Sequence, residues 1–401
     1  MPVLIFSIFI FILFFKSLFV YFVQDDFYFL AITRIHTFSQ FFSLFIPDPN
    51  NVWYRPLSSP VFFYLLKLLF GYNPFGFHLI VFVTHVFTIW LLYFFIKTIL
   101  KNNLIALLSG LFYGIHQLHT VSLSWLATYP FILGPTMLLL TLIFFYKQKI
   151  YLSLLFFIFG LLSWEIIVIV PIILILFTIL IEKQKKFLRI TPFICLSVLL
   201  VIVRLVIFKT EVKTNLYSIQ FSWEIISLFK FYLLRLVGLP MLITEMPNVE
   251  KIITLLLSGF FTIITIYGFY LSYIKRHLQK RIVLFLLLLM IIGIGPFLFL
   301  PNHIAPHYLS VALIGYAILS AYGIYEVILN IKHKKIISTI IILIFVINQY
   351  IGIDWTYKTH WIFQRAVLAK KLIENNQLIQ KIGTEEYFSL GGENGYTALH
   401  K

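Results

Sequence analysis

The sequence predicts an all-helical, polytopic membrane bundle. Three observations predict it. Sixty-one per cent of the 401 residues are hydrophobic and only 11% are charged, where a soluble domain carries roughly a quarter charged residues. Mean hydropathy is +0.98. The apolar residues fall into long runs separated by short polar breaks, and a run of about 20 spans a bilayer as a helix. These features exclude a cytosolic enzyme, a disordered chain and a disulfide scaffold. The single cysteine, Cys195, sits inside an apolar run and forms neither an internal disulfide nor a thiolate metal site.

The runs predict about eleven crossings. The first covers Pro2 to Phe22; it lacks the basic start and small-residue cleavage site of a signal peptide, so it reads as a retained helix. The others cover 76–96, 104–122, 128–146, 150–163, 166–182, 190–208, 252–274, 282–300, 307–329 and 335–352. Leu57 to Phe70, ended by Gly71-Tyr72-Asn73-Pro74, is too short to cross and reads as interfacial or re-entrant. The external stretch 209–251 contains Trp223 to Leu242, apolar but carrying Glu224, Lys230 and Arg235, again an interfacial helix or a re-entrant pair. Helix is also expected near 361–381. No internal repeat is visible.

The net charge of +16 is a topology signal here, and no nucleic-acid motif accompanies it. Five consecutive alternate loops carry the cations, beginning with Lys97 and Lys101 and ending with Lys332, Lys334 and Lys335. That face is expected to be cytoplasmic. The N-terminus is then inside and the C-terminal tail outside. The unusual polar residues gather on the opposite face: Asp25-Asp26, the segment to Arg55, His116 to Trp125, Glu165, the 209–251 loop and His303 to His307. That asymmetry points to chemistry at an extracytoplasmic membrane surface, whereas a transporter places its polar groups near the midplane.

Each candidate has a functional and a structural reading. Asp25 and Asp26 follow a spanning helix directly; a carboxylate at that boundary is a general base or a helix-end anchor. Adjacent side chains diverge, so one of the two faces any given site. Arg55, in Trp53-Tyr54-Arg55-Pro56, forks onto a phosphate or the acids, or anchors a headgroup. His78 and His85 lie seven apart on one helix face and read as bonded to a neighbouring helix. His116 and His119, three apart, share a helix face suited to a phosphate or a metal. Glu165 between two short crossings needs a cation or a proton. His303, His307 and Tyr308 bind a phosphate or mark the interface.

Taken in order, these segments resemble a known family: the acidic pair, Trp-Tyr-Arg-Pro-Leu at 53–57, Gly71-Tyr72-Asn73-Pro74, His78 and His85, His116-x-x-His119 with Trp125, Ser163-Trp164-Glu165, and His307-Tyr308-Leu309. The pattern is similar to the GT-C polyprenyl-phosphate-sugar-dependent glycosyltransferases, protein O-mannosyltransferase-like branch. The resemblance covers roughly residues 1–355, leaving 356–401 as a short external tail. It implies a polyprenyl-phosphate sugar donor, an acceptor hydroxyl, and inverting transfer on the extracytoplasmic side of the membrane; the abundance of Lys, Ile and Phe separately points to a prokaryotic plasma membrane. It assigns the base to Asp25 or Asp26, and the donor phosphate or substrate to Arg55, His116, His119, Glu165, His307 and Tyr308. The one candidate cofactor is a divalent metal. The chain departs from the family at Val121, where relatives carry an acid, near Tyr129, where an arginine is common, at Trp164 for a lysine, and at His307 for an arginine. A transporter or lipid-carrier flippase, or a non-catalytic binder of lipid phosphate, remains the alternative.

Overall fold

A computed structural model describes residues 2–47, 53–182, 186–207, 218–275 and 279–376. All its regular structure is helical among the described residues. α1 (Pro2–Leu13) continues into a 3-10 segment, Phe15–Phe19, as the first predicted crossing. Three helices then lie between the first crossing and the next: α2 (Asp25–Ile32), α3 (Phe38–Ser43) and α4 (Pro60–Phe70). α3 is set by a capping box in which Thr37 Oγ1 accepts from Gln40 N–H and Gln40 Oε1 accepts from Thr37 N–H. α4 starts on Pro60 and stops at Gly71, whose φ of 59° suits a residue without Cβ. Residues 48–52 lie outside the described residues.

α5 (Pro74–Leu100) is a full crossing, capped by Asn73 Oδ1 accepting from Phe75 N–H at 3.1 Å. α6 (Asn103–Gly114) is capped the same way by Asn102. α7 (His119–Ser124) follows a break. The predicted helix over 104–122 is therefore corrected: α6 ends at Gly114, and His116 and His119 do not share one continuous helix face. The break is held by polar groups that a helix would leave unused. His116 Nδ1 accepts from Leu118 N–H, and Gln117 N–H donates to Gln349 Oε1 at 2.9 Å.

The remaining predicted crossings correspond to α8 (Pro130–Tyr146), α9 (Ile150–Leu161), α10 (Val170–Leu180), α11 (Thr191–Ile207), α13 (Asn248–Ile274), α14 (Lys280–Ile294), α15 (Ser310–Leu329) and α16 (Lys334–Thr359). α12 (Glu224–Leu236) lies in the loop between α11 and α13, and α17 (Trp361–Asn376) follows α16 after His360. Among the described residues, seven helical stretches are long and apolar enough to cross a membrane. Residues 208–217 and 377–401, with part of the 209–251 loop and most of the predicted tail, lie outside the described residues.

α15 is the central post: 89% of its most apolar stretch is buried, against 17% for α11 at the periphery. Small residues let α15 approach its neighbours. Gly268 of α13 lies against the Gly323 backbone, and Gly315 lies against the backbone of Leu286 and Met290 in α14. The outer surface keeps large apolar side chains such as Val206 (77% exposed) and Ile263 (67%), as a lipid-facing surface requires. This is an integral membrane protein.

Candidate active site

The acidic pair sits in a tight turn. Asp26 N–H donates to Val23 O at 3.1 Å, closing Val23-Gln24-Asp25-Asp26. Gln24 has φ 51° and ψ −114°, the second-residue geometry of a type II′ turn that normally takes glycine. Asp26 then turns inward and is 1% exposed. Its Oδ2 accepts from Val23 N–H at 2.9 Å and its Oδ1 from Ala127 N–H at 2.7 Å. Burial holds this carboxyl well above the usual carboxylate range, against the two N–H bonds that favour the ion. Asp26 thus ties the turn before α2 to the 125–129 segment.

Asp25 is half-buried and opens a different helical face. Positions three, four and seven onward are Tyr28, Phe29 and Ile32. These three line one wall of a cavity of ≈ 240 Å³. Its other walls come from Ser43, Leu44 and Ile46 at and just beyond the end of α3, and from Trp53, Tyr54, Arg55 and Pro56 before α4.

Arg55 is positioned from across the fold. Its Nε donates to Glu165 Oε2 at 2.7 Å, and Tyr54 N–H donates to Glu165 Oε1 at 3.0 Å. Leu57 N–H to Leu162 O and Ser58 Oγ to Ser163 O tie the same loop to the α9 end. Arg204, in the last turn of α11, reaches Glu165 Oε1 at 3.7 Å. A carboxylate thus gathers two guanidinium groups beside the cavity.

Aromatic rings support this cluster. The Arg55 guanidinium lies 5.6 Å from the Phe131 ring centre, and Phe131 packs on Trp164, His307 and Tyr308 at 4.6–5.2 Å. Trp164 fits because Gly134 leaves the room; a Cβ there would fall 2.5 Å from the indole. His307 is buried, and its Nδ1 has no hydrogen-bond partner among the described residues. Tyr308 O–H pairs with His303 Nδ1. Burial, together with the Arg55 charge, holds His303 below the usual histidine value.

The predicted residues therefore divide. Arg55, Glu165, His307 and Tyr308 form one cluster, and Asp25 shares a helical face with Tyr28, Phe29 and Ile32, which line the adjoining cavity. His116 and His119 lie elsewhere. His116 Nε2–H donates to Leu236 O at 3.0 Å, and His119 stacks on His85 and Tyr113 at 4.4 and 4.7 Å. His78 and His85, as expected, bond backbone carbonyls of other segments. Among the described residues no three His, Cys, Asp or Glu side chains are grouped as a metal site. Sequence reasoning missed Gln24, Phe131 and Arg365 altogether. Arg204 was legible only as a lone cation within an apolar run.

No family model matches the chain, and no curated protein matches it in sequence. Solved structures do match in shape. ArnT from Cupriavidus metallidurans, determined bound to undecaprenyl phosphate, aligns with 99% of this chain and 75% of its own, at a TM-score of 0.53 and 14% identity. The oligosaccharyltransferase AglB from Archaeoglobus fulgidus, determined with an inhibitory peptide and a dolichol-phosphate, aligns with 97% of this chain at a TM-score of 0.51 and 12% identity; the alignment spans 59% of AglB. The chain has the GT-C fold.

Proposed function

We propose that the protein is an inverting glycosyltransferase that moves a sugar from a polyprenyl-phosphate carrier to an acceptor hydroxyl at the extracytoplasmic membrane face. One observation carries the reading: a cavity at the bundle's polar end has the Asp25-bearing face of α2 on one wall and Arg55, held by Glu165, on another. Asp25 is the general base. It accepts the hydroxyl proton as the acceptor oxygen bonds to the anomeric carbon. The carbon–phosphate oxygen bond breaks, and the phosphate leaves with the electron pair. Arg55, Arg204 and His303 stabilise the departing anion, His307 and Tyr308 support them, and the aromatic walls take the sugar's apolar face. Asp26 holds the turn. One base and no covalent enzyme intermediate give inversion.

Residues 1–355 form the catalytic unit, with cationic loops and N-terminus cytoplasmic and the tail outside. The proposed setting is a prokaryotic plasma membrane. The two lipid-phosphate-bound neighbours support the donor class. A transporter reading gains nothing from Arg204, because it pairs with Glu165 beside the cavity rather than across mid-helix. The test is transfer by purified protein from a panel of polyprenyl-phosphate sugars, read as lipid-phosphate release. Asp25→Asn is expected to abolish release while the protein stays folded. Full release by Asp25→Asn would overturn the assignment.

A further inference from the structure

The turn that presents Asp25 contains a backbone conformation that its sequence does not favour. Gln24, at φ 51° and ψ −114°, occupies a region in which a Cβ is poorly accommodated and glycine is preferred. Such a conformation persists where surrounding contacts over-determine it. Two of those contacts are local, the Val23–Asp26 pair of hydrogen bonds. The third comes from 341 residues away: Arg365 Nη1 donates to Gln24 Oε1 at 2.9 Å.

Arg365 is itself held in place. Its guanidinium stacks over Trp361, 4.6 Å from the ring centre, and Trp361 packs edge-on against Trp125 at 5.2 Å. On the same face of α17, Ile362 and Ala366 are buried against Val20, Val23 and Val121. The end of α16 is anchored in turn by Tyr357 O–H to Ser17 Oγ at 2.6 Å. α17 therefore bridges both segments that Asp26 joins, the 20–26 turn and the 121–127 segment.

We propose that Arg365 is a positioning residue: from α17 it clamps the Gln24 side chain, keeps the turn in its glycine-like conformation, and so fixes the direction in which Asp25 faces the cavity. Its catalytic consequence rests on the function proposed above; the clamp itself does not. A glycine at position 24 adopts the same turn unaided, so the clamp becomes dispensable in that background.

The experiment compares wild type, Arg365→Ala, Gln24→Gly and the double variant, each full-length in lipid nanodiscs, by amide hydrogen exchange. Arg365→Ala is expected to speed exchange in the 20–30 segment by about tenfold, with α15 unchanged. The double variant is expected to return to within about twofold of wild type. Unchanged exchange in Arg365→Ala, fast exchange persisting in the double variant, or acceleration throughout the molecule would each overturn the clamp. Lipid-phosphate release from polyprenyl-phosphate sugars is measured on the same four proteins. There kcat falls in Arg365→Ala, the donor KM holds, and Gln24→Gly restores kcat. Absence of release from wild type would defeat the proposed function while exchange still decides the clamp.

Discussion

Replacing Asp26 by asparagine separates holding the turn from doing chemistry. The carboxylate accepts from Val23 N–H at 2.9 Å and Ala127 N–H at 2.7 Å, one bond to each oxygen, at a site 1% exposed. Asparagine keeps one acceptor and sets an NH₂ against the other N–H. One buried donor is left unsatisfied, which costs about 1–3 kcal/mol. A destabilisation of about 2 kcal/mol is expected, and more for Asp26→Ala, which strands both donors. Asp25→Asn, half-buried, should change stability by less than about 0.5 kcal/mol. pH supplies a second signature. Burial raises the Asp26 pKa in the folded state, so the native protein binds that proton more readily than the unfolded chain. Its contribution to stability therefore falls as pH rises from the unfolded value through the folded one. Asparagine lacks that slope, so the wild-type advantage narrows as pH rises. Unfolding in detergent, followed by tryptophan fluorescence at several pH values, measures both. Equal stability of wild type and Asp26→Asn, with Asp25→Asn the weaker protein, would refute the division of labour.

Glu165→Gln should keep the Tyr54 N–H bond but lose the charge that gathers Arg55 and Arg204, costing about 1 kcal/mol at this partly exposed site and raising the donor KM; steady-state release assays at several donor concentrations check it. Gly268→Leu should abolish recovery of folded protein, because its side chain would enter the Gly323 backbone, whereas Gly259→Leu, with nothing within 4 Å, should express normally; size-exclusion profiles decide between them. Burial lowers His360 from 6.5 to about 4, so its stabilising contribution is lost as pH falls through 6.5 toward 4. His360→Gln should flatten the acid limb of the stability curve by about 2 kcal/mol at pH 5, read by denaturation at matched ionic strength.

The crossings were legible because lipid exposure writes itself as unbroken apolar runs, and apart from 104–122 each predicted crossing coincides with a helix or a helix with its 3-10 extension. The break after Gly114 was not legible, because hydropathy continues across it. What stops the helix is a contact from Gln349 in α16 to Gln117 N–H, a partner 232 residues away. The acidic pair could be read as two side chains pointing apart. Which one is buried depends on the Ala127 N–H, 101 residues distant. Arg55 and Glu165 were each visible as charges needing a partner, but not as each other's partner. His116 and His119 looked like a ligand pair from spacing alone, and spacing holds only along a continuous helix. Gln24 gave no signal at all: nothing in a glutamine announces a positive φ.

The central claim is tested most directly by locating a bound donor headgroup. A cryo-electron microscopy map of the protein saturated with a polyprenyl phosphate should show the phosphate beside Arg55 and His303, at the cavity that the Asp25 face of α2 lines. Phosphate density on the cationic-loop side of the bundle, or at the outer end but away from Arg55, would contradict it.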